Sequence, residues 1–345
     1  MSYPLNPKLY DEDVEQEPIR AGFGRGLKAA GEANEQIVAL CADLTESTQM
    51  SKFKEAFPER FIEIGVAEQN LVTVAAGLAR AGKIPFTSSY AAFSPGRNWE
   101  QIRTTAALNN MPVKIVGSHA GISVGPDGAT HQMLEDIALM RVLPRMVVIA
   151  PGDGIEAEKA TKAAAENGQP TYIRLAREKT PIFSTIDSPF EIGKAYVLRE
   201  GKDVALFGTG SMTYQLMVAA QKLSEQGIEA EVVHVPTIKP LDEEVILASA
   251  KKTGRVVTAE EAQAAGGFGS AIAELLSDKL PMPVKRLGML DRFGESGEPN
   301  ELLAHFNLNG EKMAPIISEF TQTMPQYHQE TQASSEPEEN RGEQS

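Results

Sequence analysis

Cysteine, basic charge and long apolar runs are scarce in this chain of 345 residues. Its one cysteine, Cys41, has no partner for an internal disulfide, which favours a reducing compartment. No apolar run reaches the roughly 18 residues of a transmembrane helix. Asp and Glu number 47 against 33 Lys and Arg, and the net charge of −14 disfavours a nucleic-acid groove. We therefore expect a cytoplasmic protein with no membrane or nucleic-acid partner.

Length and composition predict two globular domains. Hydrophobic residues make up 42% of the chain and charged residues 23%, as in ordinary globular proteins. Residues 1–17 form a polar, acidic N-terminal extension that does not resemble a signal peptide. The pattern loosens near 184–192, so the first domain is placed at 18–187 and the second at 188–325. The tail, 326–345, is rich in Gln, Ser and Glu and is expected to be disordered.

Short apolar runs alternate with helical patterns along both predicted domains. Strands are predicted at 37–41, 84–88, 113–117, 146–150, 171–175, 204–207, 230–235 and 255–258. Helices are predicted at 67–81, 155–166, 212–226, 243–251 and 268–278. Strands separated by helices favour parallel pairing with both faces covered. The predicted fold class is therefore α/β, with two domains that each contain a mostly parallel sheet flanked by helices.

The run Gly65-Val66-Ala67-Glu68-Gln69-Asn70 puts a carboxylate at the start of an apolar helix. One interpretation is that Glu68 only complements the helix dipole. The other is that the apolar surroundings tune this carboxyl group for proton sharing, because burial disfavours its charged form. The local sequence favours the first interpretation, and the neighbouring motifs favour the second.

A glycine-rich loop carries two histidines and an aspartate. It runs through His119-Ala120-Gly121 to Gly125-Pro126-Asp127-Gly128-Ala129-Thr130-His131-Gln132. The glycines allow tight turns, which would bring His119, Asp127 and His131 together. Imidazoles that are neutral near pH 7 suit proton transfer. A metal site is the rival interpretation, but no helical His pair or Cys ligand accompanies these residues, and no metal site is predicted in this chain.

An aromatic segment, Ser88-Ser89-Tyr90-Ala91-Ala92-Phe93, lies between these two motifs. Tyr90 and Phe93 are either core aromatics at a strand end or the walls of a pocket for a flat ring. Local sequence does not separate the two possibilities.

Taken together, the three motifs resemble the transketolase family, whose members use thiamine diphosphate. The resemblance covers about residues 18–325 and implies the pyrimidine-binding and C-terminal domains of a full transketolase. It implies that Glu68 activates the cofactor through the pyrimidine N1′, and that Tyr90 and Phe93 form the pyrimidine pocket. The family usually has Phe where this chain has Tyr90. The resemblance also places Asp43 at a subunit interface close to the cofactor.

The same resemblance implies a binding site for sugar phosphates. His119, Asp127 and His131 match residues that contact the hydroxyl and carbonyl oxygens of the sugar, the histidines also moving protons. Arg20, Ser47 and Arg177 match residues that bind the phosphate, and arginine forks suit phosphate oxygens. Arg174 lies close to Arg177 in the sequence, so the second phosphate-binding arginine is left open between them.

The family motif for Mg²⁺ and the diphosphate is missing. That motif is Gly-Asp-Gly followed at a distance by Asn, but after Gly152-Asp153-Gly154 and the nearby Asn167 no Asn occurs until Asn300. Asp153 is instead predicted to cap the following helix. The resemblance therefore implies the C-terminal subunit of a split transketolase, with Mg²⁺ bound by a separate N-terminal subunit. Thiamine diphosphate would be shared across the interface of an assembly with two copies of each chain.

The implied activity is transfer of a two-carbon ketol unit between a ketose phosphate and an aldose phosphate. Three alternatives remain open: half of a deoxyxylulose-phosphate synthase, the beta subunit of a 2-oxo-acid dehydrogenase, and a non-catalytic regulatory subunit. Deoxyxylulose-phosphate synthases carry Arg where this chain has His119, which favours the ketol transferase. Glu68 together with the whole glycine-rich loop disfavours a regulatory chain.

Overall fold

The computed structural model describes residues 3–327 and confirms the α/β class. The strands of the first half are β1 (Gln16–Pro18), β2 (Ile37–Cys41), β3 (Phe61–Glu63), β4 (Ile84–Tyr90), β5 (Lys114–Ser118), β6 (Val147–Ile149), β7 (Thr171–Arg174) and β8 (Lys179–Pro181). Its helices are α1 (Ile19–Ala33), α2 (Ser51–Ala56), α3 (Glu68–Arg80), α4 (Trp99–Gln101), α5 (Asp136–Arg141) and α6 (Gly154–Glu166). A π-helical segment, Ile102–Ala107, continues α4.

The second half repeats the alternation. Its strands are β9 (Tyr196–Arg199), β10 (Val204–Gly208), β11 (Ala230–His234), β12 (Thr237–Lys239), β13 (Val256–Gln263) and β14 (Val284–Met289). Its helices are α7 (Met212–Ser224), α8 (Glu243–Thr253), α9 (Phe268–Lys279), α10 (Pro299–His305) and α11 (Gly310–Thr323). None of the helices within residues 3–327 has the length and apolar character needed to cross a membrane.

Two mostly parallel sheets organise the described residues. The larger has seven strands in the order β12-β6-β7-β5-β4-β2-β3, and the smaller has five in the order β14-β13-β10-β11-β9. In each sheet one edge strand, β12 or β9, runs antiparallel to its neighbour. Because β12 comes from the second half of the chain, the larger sheet draws on both halves. The boundary at 187/188 stays a prediction.

The predicted strands and helices agree with the observed ones at most ends to within two residues. The clearest difference is the strand predicted at 255–258, which continues to Gln263. Its extension contains Glu260 and Glu261, whose polarity breaks the apolar pattern although both are buried. Helix α1 and the C-terminal helix α11 were not predicted from the sequence.

Helix α1 is unusual because four of its residues are glycines, which lower helix propensity. These glycines allow close packing. A Cβ on Gly22 would lie 1.8 Å from the backbone oxygen of Gly154, and one on Gly26 would lie 2.7 Å from that of Glu158. Both contacts are with α6, so tertiary packing compensates for a weak local preference.

Both ends of the chain contact the body of the molecule where they are described. In the N-terminal extension, Tyr3, Leu9 and Val14 are buried, and Leu5 forms a bridge with Ser184. At the other end, the Tyr327 amide donates to the Gly254 carbonyl. The rest of the predicted disordered tail, 328–345, lies outside the described residues.

The motifs identified in the sequence lie at the carboxyl ends of the parallel strands. Strands β2, β4, β5 and β7 lie side by side in parallel, so the segments that follow them emerge at one edge of the sheet. Tyr90 ends β4 opposite Ser118, which ends β5. This edge is where open α/β sheets bind ligands, and it collects the motifs identified in the sequence.

Lys114, at the start of the central strand β5, gives a prediction for stability. Its Nζ is buried and donates to Asn167 Oδ1 at 2.7 Å and to the Gln169 carbonyl at 2.6 Å. Burial lowers the pKa of Lys114 to about 7. Since the unfolded lysine keeps a proton up to a pH of about 10.4, the native state binds fewer protons above pH 7, and stability rises with pH by up to roughly 1.4 kcal/mol per unit.

We expect Lys114→Met to lack this rise in stability with pH. Urea unfolding at pH 7, 8 and 9 should show the free energy of unfolding of the wild type increasing relative to that of the variant. Lys28→Met, at an exposed position of α1, serves as the control and should leave the pH dependence unchanged. A constant difference between wild type and Lys114→Met would contradict the prediction.

Candidate functional site

Glu68 is the first residue of α3 and is only 6% exposed. Its Oε1 accepts a hydrogen bond from Arg97 Nη1 at 3.0 Å, and its backbone oxygen accepts one from Asn98 Nδ2 at 2.8 Å. Within residues 3–327, no hydrogen bond reaches Oε2. Glu68 and Arg97 line an open depression of about 550 Å³ together with residues 66, 67, 69 and 70. The carboxyl group is therefore oriented by one oxygen while the other is available to a ligand.

An aromatic pair lies beside this carboxyl group. The rings of Tyr90 and Phe93 are stacked, with centroids 5.9 Å apart and an interplanar angle of 21°. The Arg97 guanidinium lies over the Phe93 ring, 4.2 Å from its centroid. Arg97 thus connects Glu68 to the aromatic pair by an ion pair on one side and a cation–π contact on the other.

His119 follows β5 directly and is 2% exposed. Its ring stacks on Tyr90 with centroids 3.8 Å apart, and its Nδ1 lies 2.8 Å from Ser118 Oγ. Burial, and then the charges of Arg20 and Arg177, lower the pKa of His119 to about 3. The imidazole is therefore neutral at pH 7. With Nδ1 engaged, Nε2 is the ring nitrogen left for a ligand.

The segment 118–132, here called the histidine loop, turns sharply at Gly121, Gly125 and Gly128. Their φ angles are +91°, +84° and +70°, which confirms the tight turns predicted from the glycines. The turns return His131 to the aromatic pair. Its ring meets Phe93 edge-on at 5.4 Å and Tyr90 at 6.2 Å between centroids. The two histidines of the loop thus share one pair of aromatic neighbours.

Two arginines lie near His119. Arg20 donates from Nη1 to the Ser47 carbonyl and from Nε to the Arg177 carbonyl, the latter at 3.2 Å. Arg177 donates to the Val124 carbonyl at 2.6 Å. Burial and the charge of Arg177 lower the pKa of Arg20. Two cations held this close would be stabilised by an anion.

Asp127 and Asp43 occupy different surroundings. Asp127 is exposed, and its Oδ2 lies 3.8 Å from Arg177 Nη1, at the edge of the arginine pair. Asp43 follows β2 with a φ of +58°, and its backbone amide donates to Glu63 Oε1 at 2.8 Å. Among residues 3–327, the Asp43 carboxylate makes no hydrogen bond or ion pair. Asp43 therefore lies at the same sheet edge, and within the described residues its carboxylate is hydrogen-bonded to neither histidine.

Arg174, the alternative to Arg177, is buried, and its guanidinium makes two hydrogen bonds inside the protein. Its Nε pairs with Asp136 Oδ2 at 2.9 Å, and its Nη2 donates to the Glu261 carbonyl at 3.0 Å. Arg177 is 30% exposed at the side chain and faces the histidine loop. Geometry therefore leaves Arg177, and not Arg174, accessible to a ligand.

Asp153 caps α6, as predicted from the sequence. Its Oδ1 accepts from the Glu156 amide at 2.9 Å and from Ser184 Oγ at 2.8 Å. Its Oδ2 accepts from the amides of Phe183 and Ser184. With both oxygens engaged, this carboxylate does not fit a Mg²⁺ ligand.

Two residues of the site were not identified from the sequence. Arg97 lies four residues after Phe93, and that spacing was its only local signal. Glu261 belongs to β13 and contacts the histidine loop through the Ser123 amide at 3.1 Å. The sequence signal for Glu261 was its place in an apolar strand next to a second acidic residue, Glu260, since a buried carboxylate needs hydrogen-bond partners.

Comparison with known proteins supports the resemblance to the transketolase family independently of the site geometry. Residues 16–182 match the family model described as "Transketolase, pyrimidine binding domain", and residues 193–313 match "Transketolase, C-terminal domain". A Methanocaldococcus jannaschii chain named as a transketolase C-terminal section is 45% identical over 304 residues, which cover 87% of this chain and 95% of the relative. The "6-deoxy-6-sulfo-D-fructose transketolase subunit SqwH" of Clostridium sp. is 40% identical, with 93% and 98% covered.

Related proteins also include a solved structure and a longer enzyme. A structure described as "Split gene transketolase, inactive beta4 tetramer" has a TM-score of 0.84 and 44% identity, covering 89% of this chain and 99% of that one. The 1-deoxy-D-xylulose-5-phosphate synthase of Trichormus variabilis is 40% identical over 86% of this chain, which spans 47% of that enzyme. The chain belongs to the transketolase family and contains its pyrimidine-binding and C-terminal domains.

Proposed function

We propose that this chain is the C-terminal subunit of a thiamine-diphosphate-dependent transketolase. It would transfer a two-carbon ketol unit between a ketose phosphate and an aldose phosphate, acting with a separate N-terminal subunit. One observation carries the proposal: a buried Glu68 carboxylate with a free oxygen, an aromatic pair and two histidines meet at one sheet edge.

The residues of this edge fit the pyrimidine end of the cofactor. Tyr90 and Phe93 offer stacked aromatic surface to a flat ring. Glu68 Oε2 would share a proton with the pyrimidine N1′, while Arg97 holds Oε1. When bound, thiamine diphosphate supplies a carbon nucleophile at C2 of its thiazolium ring, and the protein supplies binding, orientation and proton transfer.

The histidines would bind the sugar substrate and stabilise charge on its oxygen atoms. His119 is neutral and presents Nε2, so it can donate or accept a hydrogen bond at a substrate oxygen as charge develops there. His131 is less buried and lies against the edge of the same aromatic pair. Asp127, beside the arginines, would orient a hydroxyl group. Arg20, Ser47 and Arg177 would bind the phosphate.

The remaining end of the cofactor requires another chain. Asp153 is fully engaged as a helix cap, so the Gly-Asp-Gly of this chain does not fit Mg²⁺. We propose that the N-terminal subunit binds Mg²⁺ and the diphosphate, and that two copies of each subunit share the cofactor sites. The related split-gene structure, an inactive β4 tetramer, supports both self-association and the need for a partner.

Reconstitution tests this proposal. We expect the purified chain to bind thiamine diphosphate weakly in calorimetry and to turn over no ketose phosphate. Activity should arise when it is combined, with Mg²⁺ and cofactor, with a subunit that carries Gly-Asp-Gly and its distant Asn. Tight cofactor binding or turnover by the chain alone would refute the split-enzyme proposal.

The relatives named as deoxyxylulose-phosphate synthases support one alternative, half of such a synthase. His119 favours the ketol transferase, since the family resemblance puts Arg there in the synthases. The same assembly distinguishes the two: release of carbon dioxide from a 2-oxo acid in the presence of an aldose phosphate would support the synthase, and ketol transfer without carbon dioxide release the transketolase. An assembly that binds cofactor but catalyses neither reaction would support a regulatory chain.

The role of Arg177 in phosphate binding predicts a specificity change. Arg177→Ala should raise KM for phosphorylated sugars about ten- to hundredfold, because a hydrogen bond to a charged group is worth roughly 1.5–3 kcal/mol. KM for unphosphorylated sugars should change little. Arg145→Ala, in an exposed arginine that donates to the Leu108 carbonyl, is the control. Equal effects on both substrate classes would assign Arg177 a structural role.

A further inference from the structure

The histidine loop is covered by a segment from the second half of the chain. Gln132 Nε2 donates to the Glu295 carbonyl at 2.9 Å. A Cβ on Gly128 would lie 2.4 Å from Ser296 Oγ, and one on Gly125 would lie 3.0 Å from Pro299 Cγ. The glycines that turn the loop therefore also make room for this covering segment, 295–299.

Glu261 contacts the histidine loop from inside the protein. It is 2% exposed, and its Oε2 accepts from the Ser123 amide at 3.1 Å while its Oε1 accepts from Ser211 Oγ at 2.6 Å. Its backbone oxygen accepts from Arg174 Nη2. A Cβ on Gly121 would lie 2.4 Å from Oε2. One buried residue of β13 thus contacts the histidine loop, the start of α7 and the end of β7.

A carboxylate at this position needs a physical reason. Burying a charged group is costly unless hydrogen bonds compensate it, and an apolar side chain would fill an interior strand position without that cost. Here the compensation comes from a main-chain amide of the loop and from the Ser211 hydroxyl, and hydrogen bonds to a charged acceptor are strong and directional. The contact fixes the backbone four residues after His119, at the first of the three glycine turns.

We propose that Glu261 is a positioning residue for the histidine loop. By holding the Ser123 amide, it keeps His119 stacked on Tyr90 and sets the path that returns His131 to the same ring. The second half of the chain thereby contributes to the geometry of the site. The inference rests on the proposed function for its catalytic consequence, and on the contacts alone for its effect on the loop.

Hydrogen–deuterium exchange of the full chain tests the effect on the loop. In Glu261→Ala, peptides spanning 118–132 should exchange about ten- to hundredfold faster, the size of a lost hydrogen bond to a charged group. Peptides of α1 should keep their wild-type rates. Glu261→Gln should restore slow exchange, because its amide oxygen can accept from Ser123 while the Ser211 hydroxyl rotates to accept from Nε2.

Glu260→Ala is the matched control. Glu260 is the adjacent buried carboxylate of β13, but it accepts from the amides of Phe268 and Gly269 at the start of α9. Its loss should accelerate exchange at α9 and leave the histidine loop unchanged. If Glu261→Ala fails to fold, Ser211→Ala removes one of the two partners of the carboxylate and should give a smaller acceleration of the loop.

The outcomes separate the two proposals. Wild-type exchange of the loop in both Glu261→Ala and Ser211→Ala would overturn the positioning role. Faster loop exchange combined with a lower kcat for ketol transfer in the assembled enzyme, rescued by Glu261→Gln, would support it. Faster loop exchange with kcat unchanged would overturn the catalytic consequence. If the assembled wild type lacks ketol transfer, the proposed function fails while the exchange result stands.

Discussion

Glu68→Gln is expected to slow the exchange of the C2 hydrogen of bound thiamine diphosphate by at least about a hundredfold, while the melting temperature of the protein barely changes. Glutamine matches the size of glutamate and can still accept from Arg97, but it cannot share a proton with N1′. Each tenfold loss in rate corresponds to about 1.36 kcal/mol of barrier. NMR of acid-quenched samples of the assembled enzyme measures the exchange rate.

The competing interpretation is that Glu68 only complements the dipole of α3. Such a role is worth roughly 0.3–1 kcal/mol and would leave the cofactor unaffected. Glu244→Gln is the matched control, because Glu244 is an exposed glutamate in the first turn of α8. It should cause a similar small change in stability and no change in exchange. Wild-type exchange in Glu68→Gln would remove the central support for the proposed function.

The fold was predictable where local sequence and tertiary environment agree. Fully buried parallel strands such as β2, Ile37–Cys41, consist of short apolar runs, and the pattern marks them directly. Helix α1 was missed because its glycines lower helix propensity, and their role, close packing against α6, is visible only in the structure. Helix packing of this kind depends on residues more than a hundred positions away, which no local pattern contains.

The candidate site was predictable to the extent that its residues are grouped in motifs. Glu68, Tyr90, Phe93 and the histidine loop each belong to a short run, and the parallel sheet brings these runs to one edge. Arg97 and Glu261 were missed because their roles arise from packing: Glu261 lies 138 positions from Ser123. Arg174 and Arg177 were indistinguishable in the sequence, and burial separates them.

His119→Ala is expected to lower kcat/KM of the assembled enzyme by about 10²–10³-fold, the usual cost of removing one positioned hydrogen-bond donor to a developing charge. Because the pKa of His119 is about 3, the imidazole stays neutral across the working range, and the pH profile of the wild type between 5 and 8 should contain no step from this residue. Steady-state kinetics over that range measures both effects.

Two variants distinguish this role from simple packing. The ring of His119 fills buried space against Tyr90, so added imidazole should restore part of the activity of His119→Ala. His305→Ala is the control, because His305 is an exposed histidine on α10 whose side chain is 55% accessible, and it should keep wild-type kinetics. A His119→Ala enzyme that loses thermal stability but keeps its kcat/KM would make the histidine a core residue, and the hydrogen bond to the reacting sugar oxygen would then fall to His131, whose ring reaches the same aromatic pair.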